Sequence, residues 1–158
     1  MRVSLEPPNQ PDVIALIADL DAYQDTLYPA EARYALDLDS LSQPNVLFAV
    51  ARNAGGQAIG CGAVVLTSTY GEVKRMYVWP ESRGLGTAQQ VIQTLESAAL
   101  ARGCTTLMLE TGPYQAEALA FYAKQGYERC GPFGAYPEHP LSVFMCRHLA
   151  SVPASAED

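Results

Sequence analysis

Hydrophobic positions along this chain switch between two periods, and the switches mark out its elements. Residues 1–5 read as a short strand that stops at Pro7-Pro8. From Asp12 to Tyr23, Val13, Leu16, Ile17 and Leu20 recur at helical spacing and predict an amphipathic helix. A second helical stretch follows Tyr28-Pro29, over about residues 30–36, and a turn rich in Asp and Ser comes next. Residues 45–51 are a continuous apolar run, a buried strand, and Asn53-Ala-Gly-Gly56 is a hairpin turn leading to a partner strand over 58–67. Gly60 and Gly62 inside that partner point to a bulge or a close backbone approach. Residues 71–78 form another strand, ended by Trp79-Pro80. The longest helix runs over 86–102 with Ala88, Val91, Ile92, Leu95 and Ala99 on its inner face, and Gly103 stops it. A strand at 105–109, a helix at 115–125 ended by Gly126, and strands at 127–130 and 142–147 complete the chain, with a Pro/Gly/aromatic loop over 131–140. Strands and helices mixed in this order predict an α/β (α+β) domain.

Length and composition narrow the picture. The 158 residues are 49% apolar and 17% charged, enough for one core, so a single domain over 1–150 and a frayed tail over 151–158 are expected. The formal charge is -7, which argues against a surface built to neutralise nucleic-acid phosphates. The acidic excess is N-terminal: residues 1–44 hold eight acids against Arg2 and Arg33, whereas residues 45–149 hold seven against eight bases. Such a field would attract a cationic acceptor, or it is a solvated helix face. Cys61, Cys104, Cys130 and Cys146 are widely spaced and share no ligand spacing with His139 or His148, so neither a disulfide framework nor a metal is expected. No apolar run approaches the ~20 residues that span a bilayer, and no secretory leader is read at the N-terminus. A reduced, cytoplasmic protein without a membrane partner is the expectation.

The most informative segment is Val78-Trp-Pro-Glu-Ser-Arg83-Gly84-Leu85-Gly86-Thr87-Ala88, a strand, a glycine turn and then a long helix. Such a turn leaves backbone N–H groups aimed at one spot, where the helix dipole favours an anion such as a diphosphate. A P-loop is excluded because Thr87-Ala88 follows Gly86 in place of Lys and Ser or Thr. A dinucleotide fingerprint is excluded because Gln89 stands where its third glycine belongs. Taken alone, the segment is also an ordinary turn feeding a helix.

Arg83-x-x-Gly86-x-Ala88 resembles the R/Q-x-x-G-x-G/A signature of the GNAT acetyltransferase superfamily, in the same strand–turn–helix context. Downstream, Gln115-x-x-Ala118-x-x-Phe121-Tyr122-x-x-x-Gly126-Tyr127 is similar to the family's N-x-x-A-x-x-L-Y-x-x-x-G-F pattern, with Gln115 for Asn and Phe121 for Leu. The resemblance covers about residues 45–130. It implies a GNAT acyl-CoA N-acyltransferase fold, a mixed, mostly antiparallel sheet of six to seven strands flanked by about four helices. It also implies acetyl-CoA as co-substrate, with its pyrophosphate held by backbone amides of Leu85, Gly86, Thr87 and Ala88 beside Gly84. Arg83 would add charge or shape that loop. Met76, Tyr77 and Val78 would pair with the pantetheine arm along an open strand edge, and Gln115 would contact the same arm. Tyr122 would protonate or hydrogen-bond the departing thiolate.

The acceptor must lose a proton, and Glu72 is the first candidate base, with Glu110 the second and a water chain the third. Strict alternation puts Glu72, Lys74, Met76 and Val78 on one face of their strand and Val73, Arg75 and Tyr77 on the other. Glu72 pairing with Lys74 or Arg75 as a plain strand-end acid is the competing reading. The runs Glu72–Val78, Leu109-Glu-Thr-Gly112, Pro132-Phe-Gly-Ala-Tyr136 and Tyr28-Pro-Ala-Glu31 resemble a bacterial GNAT subgroup without a settled substrate. Lys74 and Arg75 would then bind an acceptor carboxylate, or stand as solvated cations. Tyr28, Glu31, Tyr114 and Tyr136 would wall the acceptor pocket. The reading that follows is an acetyl-CoA-dependent N-acetyltransferase acting on a small amine by direct attack. Acetylation of a protein lysine or N-terminus, and a non-catalytic acyl-CoA sensor, are the alternatives. Family habit makes a homodimer the expectation.

Overall fold

A computed structural model describes residues 1–29 and 37–149. The helix expected over 30–36, Glu31 and the tail over 151–158 lie outside the described residues. The elements are β1 (Arg2–Leu5), α1 (Pro11–Asp25), α2 (Leu38–Leu41), β2 (Val46–Arg52), β3 (Ala58–Leu66), β4 (Gly71–Val78), α3 (Thr87–Ala101), β5 (Thr106–Thr111), α4 (Ala116–Lys124), β6 (Glu128–Cys130) and β7 (Val143–His148). Among the described residues seven strands form one sheet, in the order β1-β2-β3-β4-β5-β7-β6. Every neighbouring pair is antiparallel except β4 and β5. The mixed, mostly antiparallel sheet and the four helices are the arrangement that the resemblance implies.

Each face of the sheet is covered because each exposes an apolar half of the alternating strands. On one face Val13, Leu16 and Leu20 of α1 and Leu41 of α2 pack against Phe48, Val50, Cys61, Ala63 and Tyr77. On the other, Val91, Ile92, Leu95 and Ala99 of α3 and Tyr122 of α4 pack against Leu47, Val64, Val73, Leu107 and Leu109. Burying such side chains stabilises the fold by about 1.5–3 kcal/mol each. The Asp/Ser turn after residue 36 closes into the single-turn α2, because the Asp37 carboxylate accepts a hydrogen bond from the Ser40 N–H at 2.9 Å and caps it.

The strict alternation expected along β4 is broken. Its register with β3 steps from Cys61 opposite Tyr77 to Ala63 opposite Lys74, so Gly62 alone faces both Arg75 and Met76. Arg75 takes φ of 59°, the left-handed conformation of a bulged residue. Gly62 makes room for it, since a Cβ there would collide with Met76, Val91 and Leu95. The extra residue turns Arg75 onto the α1 face, where Nη2 donates to Asp21 Oδ1 at 2.8 Å. Glu72, Lys74, Arg75 and Tyr77 therefore share the α1 face, and Val73 and Met76 pack against the α3 core.

Candidate functional site

Only Gly71–Val73 of β4 pair with Leu107–Leu109 of β5. Beyond Val73 the two strands part, and the Met76–Val78 edge is left without a strand partner on that side. A cleft of about 680 Å³ fills the fork. One wall is Met76, Tyr77 and Val78 with the turn residues Arg83, Gly84, Gly86, Thr87 and Ala88; the other is Gln115, Ala118, Phe121 and Tyr122. Leu20 and Tyr23 from α1, and Tyr114, also line it. Of the residues expected against the cofactor, only Leu85 stands away from this lining, with its side chain 69% exposed.

The turn into α3 is shaped by Gly84 and Gly86, at φ of 80° and 79°. Those values are cheap for glycine and strained for residues with a Cβ. No side chain caps the helix, and among the described residues no protein acceptor engages the backbone N–H groups from Gly84 to Gln89. They form a cluster of unpaired donors at a helix N-terminus, which suits a phosphate. Arg83 shapes the loop: its Nε donates to the Val78 carbonyl at 3.1 Å and its guanidinium lies 5.8 Å from the centre of the Tyr77 ring.

At the far wall Tyr122 is 7% exposed, and burial alone raises its phenol above the ordinary value, so it carries its proton at neutral pH. Its ring is held edge-on between Phe121 and Tyr127, with centres 5.3 and 5.6 Å away. Tyr127 is itself pinned, because its hydroxyl donates to Glu96 at 2.9 Å and Arg147 pairs with the same carboxylate oxygen at 2.9 Å. Gln115 Oε1 accepts a hydrogen bond from the Thr111 hydroxyl at 3.3 Å, which orients the amide beside the cleft.

The residues expected on the acceptor side separate into groups. Glu72, Lys74 and Tyr136 are joined: the Tyr136 hydroxyl donates to Glu72, Lys74 Nζ donates to the same hydroxyl oxygen at 2.8 Å, and Lys74 pairs with Glu72 at 3.2 Å. Glu110 lies within electrostatic reach of Glu72 and Lys74 and takes a hydrogen bond from Ser142. Burial pushes its carboxyl up to about 7, Glu72 adds to the rise, and Ser142 and Lys74 oppose it. Tyr28 and Tyr114 stack at 5.4 Å, and the Tyr114 N–H donates to the Tyr28 hydroxyl at 3.1 Å. Arg75 stands apart, buried against α1 with Asp21. Cys61 is fully buried, and burial pushes its thiol up to about 12, so it is a poor nucleophile.

Sequence reasoning missed Ser142, Asp21, Leu20 and Tyr23. Each enters through a long-range contact, and none belongs to a local motif. Three of the eight N-terminal acids take partners within the fold. Glu6 and Asp12 clamp Arg52 at 2.9 and 2.7 Å, and Asp21 holds Arg75.

A forked sheet, an unpaired amide cluster at its mouth and a protonated tyrosine across the fork define a GNAT-type acyltransferase. The chain belongs to the acetyltransferase (GNAT) family, whose pattern it matches over residues 14–127. It is 46% identical over 151 residues to the IAA acetyltransferase of Azospirillum brasilense, covering 94% of this chain and 98% of that one. It is 32% identical to the uncharacterized N-acetyltransferase YsnE of Bacillus subtilis, covering 94% and 100%. A Klebsiella pneumoniae structure, provisionally assigned as an acyl-CoA N-acyltransferase, superimposes with a TM-score of 0.84 at 39% identity, over 94% and 97% of the two chains. An aminoglycoside 6'-N-acetyltransferase complexed with coenzyme A shares the fold, with a TM-score of 0.73 at 17% identity over 97% and 99%. Among the described residues no helix is long and apolar enough to cross a membrane, and no group of three metal-ligating side chains converges.

Proposed function

We propose that residues 1–150, as one acetyltransferase domain, transfer the acetyl group of acetyl-CoA to the amine of a small molecule by direct attack. The observation that carries this reading is the pairing, across one cleft, of the unpaired N–H groups from Gly84 to Gln89 with the protonated Tyr122. The amide cluster binds the pyrophosphate, and the Met76–Val78 edge holds the pantetheine arm as an added strand would be held. Gln115 steadies that arm. Main-chain donors on the same edge polarise the thioester carbonyl. Tyr122 delivers a proton to the departing sulfur, and a carboxylate of the acceptor face removes one from the amine.

A small acceptor is favoured by the loop over 131–140, which Tyr136 ties across this face through Glu72 and Lys74. The Azospirillum relative is likewise named for a small molecule. Four free cysteines suit a reducing cytoplasm. A homodimer is the family's expectation, checked by sedimentation.

The test is thiol release from acetyl-CoA with a panel of amines, amino acids, peptides and IAA. Tyr122→Phe should lower turnover about 100-fold or more while leaving acetyl-CoA affinity nearly unchanged. A Tyr122→Phe enzyme with wild-type turnover removes the tyrosine from the mechanism. Release with peptides alone favours the protein-acetylation reading, and tight acetyl-CoA binding with no acceptor at all favours the sensor.

A further inference from the structure

Strand register places two carboxylates where the sheet forks. Leu107 and Leu109 belong to the α3-side core, so Met108 and Glu110 point to the opposite face, the one Glu72 and Lys74 occupy. Glu72 lies beside Met108 in the pairing, and Glu110 is the first residue past the last paired position, Val73 with Leu109. Glu110 therefore sits in the crotch where β4 leaves β5.

The two carboxylates have unlike surroundings. Glu72 is fastened by the Tyr136 hydroxyl and the Lys74 ammonium, which are also bonded to each other. Glu110 takes its hydrogen bond from a neutral hydroxyl, that of Ser142, and stands across from the aromatic Phe144 of β7. Phe144 in turn packs against Phe133 and Tyr136 at 5.8 and 5.6 Å, which closes an apolar wall on that side. Such a setting destabilises the carboxylate and makes it a better proton acceptor near neutrality.

We infer that the two acids divide the work: Glu110 is the general base at the fork, and Glu72, fastened by Tyr136 and Lys74, is a positioning residue that sets the charge around it. This inference rests on the amine reading above and reverses the order in which the sequence alone ranked the two acids. An amine reaches the fork as its ammonium form. The Glu110 carboxylate takes one proton, which frees the nitrogen lone pair. Nitrogen bonds to the acetyl carbon as the carbon–sulfur bond breaks, and that electron pair leaves on sulfur. Tyr122 gives sulfur its proton; the second proton shed by nitrogen restores the phenol through water. Glu110 then releases its proton to solvent, so an ammonium and a thioester become an amide, a thiol and one proton.

Among the described residues, the charged and titratable groups around Glu110 are Glu72 and Lys74 on β4, Tyr28 beyond α1 and, through Glu72, Tyr136. They give a signed test. Carbon-13 NMR of protein labelled at the glutamate carboxyls, with no ligand added, should show a Glu110 signal titrating near 7, identified by its loss in Glu110→Gln. Glu72→Gln removes a repelling charge and should move that midpoint down, while Lys74→Met should move it up. A Glu110 signal titrating in the ordinary carboxylate range, below about 5, overturns the assignment. The second arm is the pH profile of kcat/KM for thiol release with the fastest amine of the panel. Glu110→Gln should lose the ascending limb and about 100-fold in kcat, and Glu72→Gln should keep the limb at a lower pH. A limb that survives in Glu110→Gln and vanishes in Glu72→Gln assigns the base to Glu72 instead. If no amine releases thiol, the amine reading falls, and the NMR titration still decides for or against Glu110 as the proton holder.

Discussion

Replacing Glu110 with Gln should make the protein more stable above neutral pH. In the unfolded chain this carboxyl has its ordinary value of 4.5, whereas in the folded protein burial raises it to about 7. Below 4.5 the group is neutral in both states and folding meets no penalty. Between the two values the unfolded chain ionises while the folded one keeps its proton, so stability falls as pH rises; above about 7 the loss is constant. At about 1.36 kcal/mol per pH unit, the interval caps the penalty at roughly 3 kcal/mol. Solvent reaches part of the carboxyl, which reduces the expected value to about 1–2 kcal/mol. Gln keeps an oxygen for the Ser142 hydroxyl and carries no charge, so the variant should recover that amount at pH 8.5 and almost none at pH 4.5. Urea unfolding followed by the fluorescence of Trp79, the one tryptophan, measures the difference at each pH. A gain that is the same at both pH values, or a variant less stable than wild type at pH 8.5 alone, would refute the reasoning.

Other substitutions probe other parts of the fold. Gly112→Ala puts a Cβ into the Tyr28 ring, so Tyr28 must leave its place beside Tyr114; we expect a loss of about 1–3 kcal/mol by calorimetry. Gly86→Ala meets no neighbour within 4 Å but forces alanine to φ of 79°. It should cost about 1–2 kcal/mol and weaken coenzyme A binding in titration calorimetry, because the amide cluster shifts. Arg52→Met removes the hub that joins Glu6, Asp12, Gln10 and the Gly56 carbonyl, for a loss of about 1–3 kcal/mol at neutral pH. The Arg52 guanidinium holds the Glu6 and Asp12 carboxyls below their ordinary values. That stabilisation is present above the ordinary values of 4.5 and 3.8 and is lost as pH falls through the lowered ones. The gap between wild type and Arg52→Met should therefore narrow on acidification, as read by unfolding midpoints.

Local chemistry made much of the fold legible. The α3 boundaries follow from Gly86 and Gly103, both at positive φ, and from four apolar residues at helical spacing. The hairpin at 53–56 follows from Asn53, whose side-chain oxygen accepts from the Gly55 and Gln57 N–H groups. The glycine turn into α3 was equally readable, because it is a local arrangement of backbone and needs no distant partner. The acceptor side was not. Gly62 announced some irregularity, yet the bulge sits on the opposite strand, at Arg75, and only cross-strand register reveals it.

What the sequence determined by itself was therefore most of the elements, the glycine turn into α3 and the apolar faces of the helices. Each depends on residues within a turn or two of one another. Tertiary structure alone decided which face Arg75 takes, where Glu6, Asp12 and Asp21 find their partners, and how differently Glu72 and Glu110 are surrounded. Those outcomes depend on contacts between residues 40 to 70 positions apart, such as Arg52 with Asp12, Arg75 with Asp21 and Tyr136 with Glu72. A carboxylate's character is set by what surrounds it, and for Glu72 and Glu110 those surroundings come from strands and loops that meet only when the sheet is assembled.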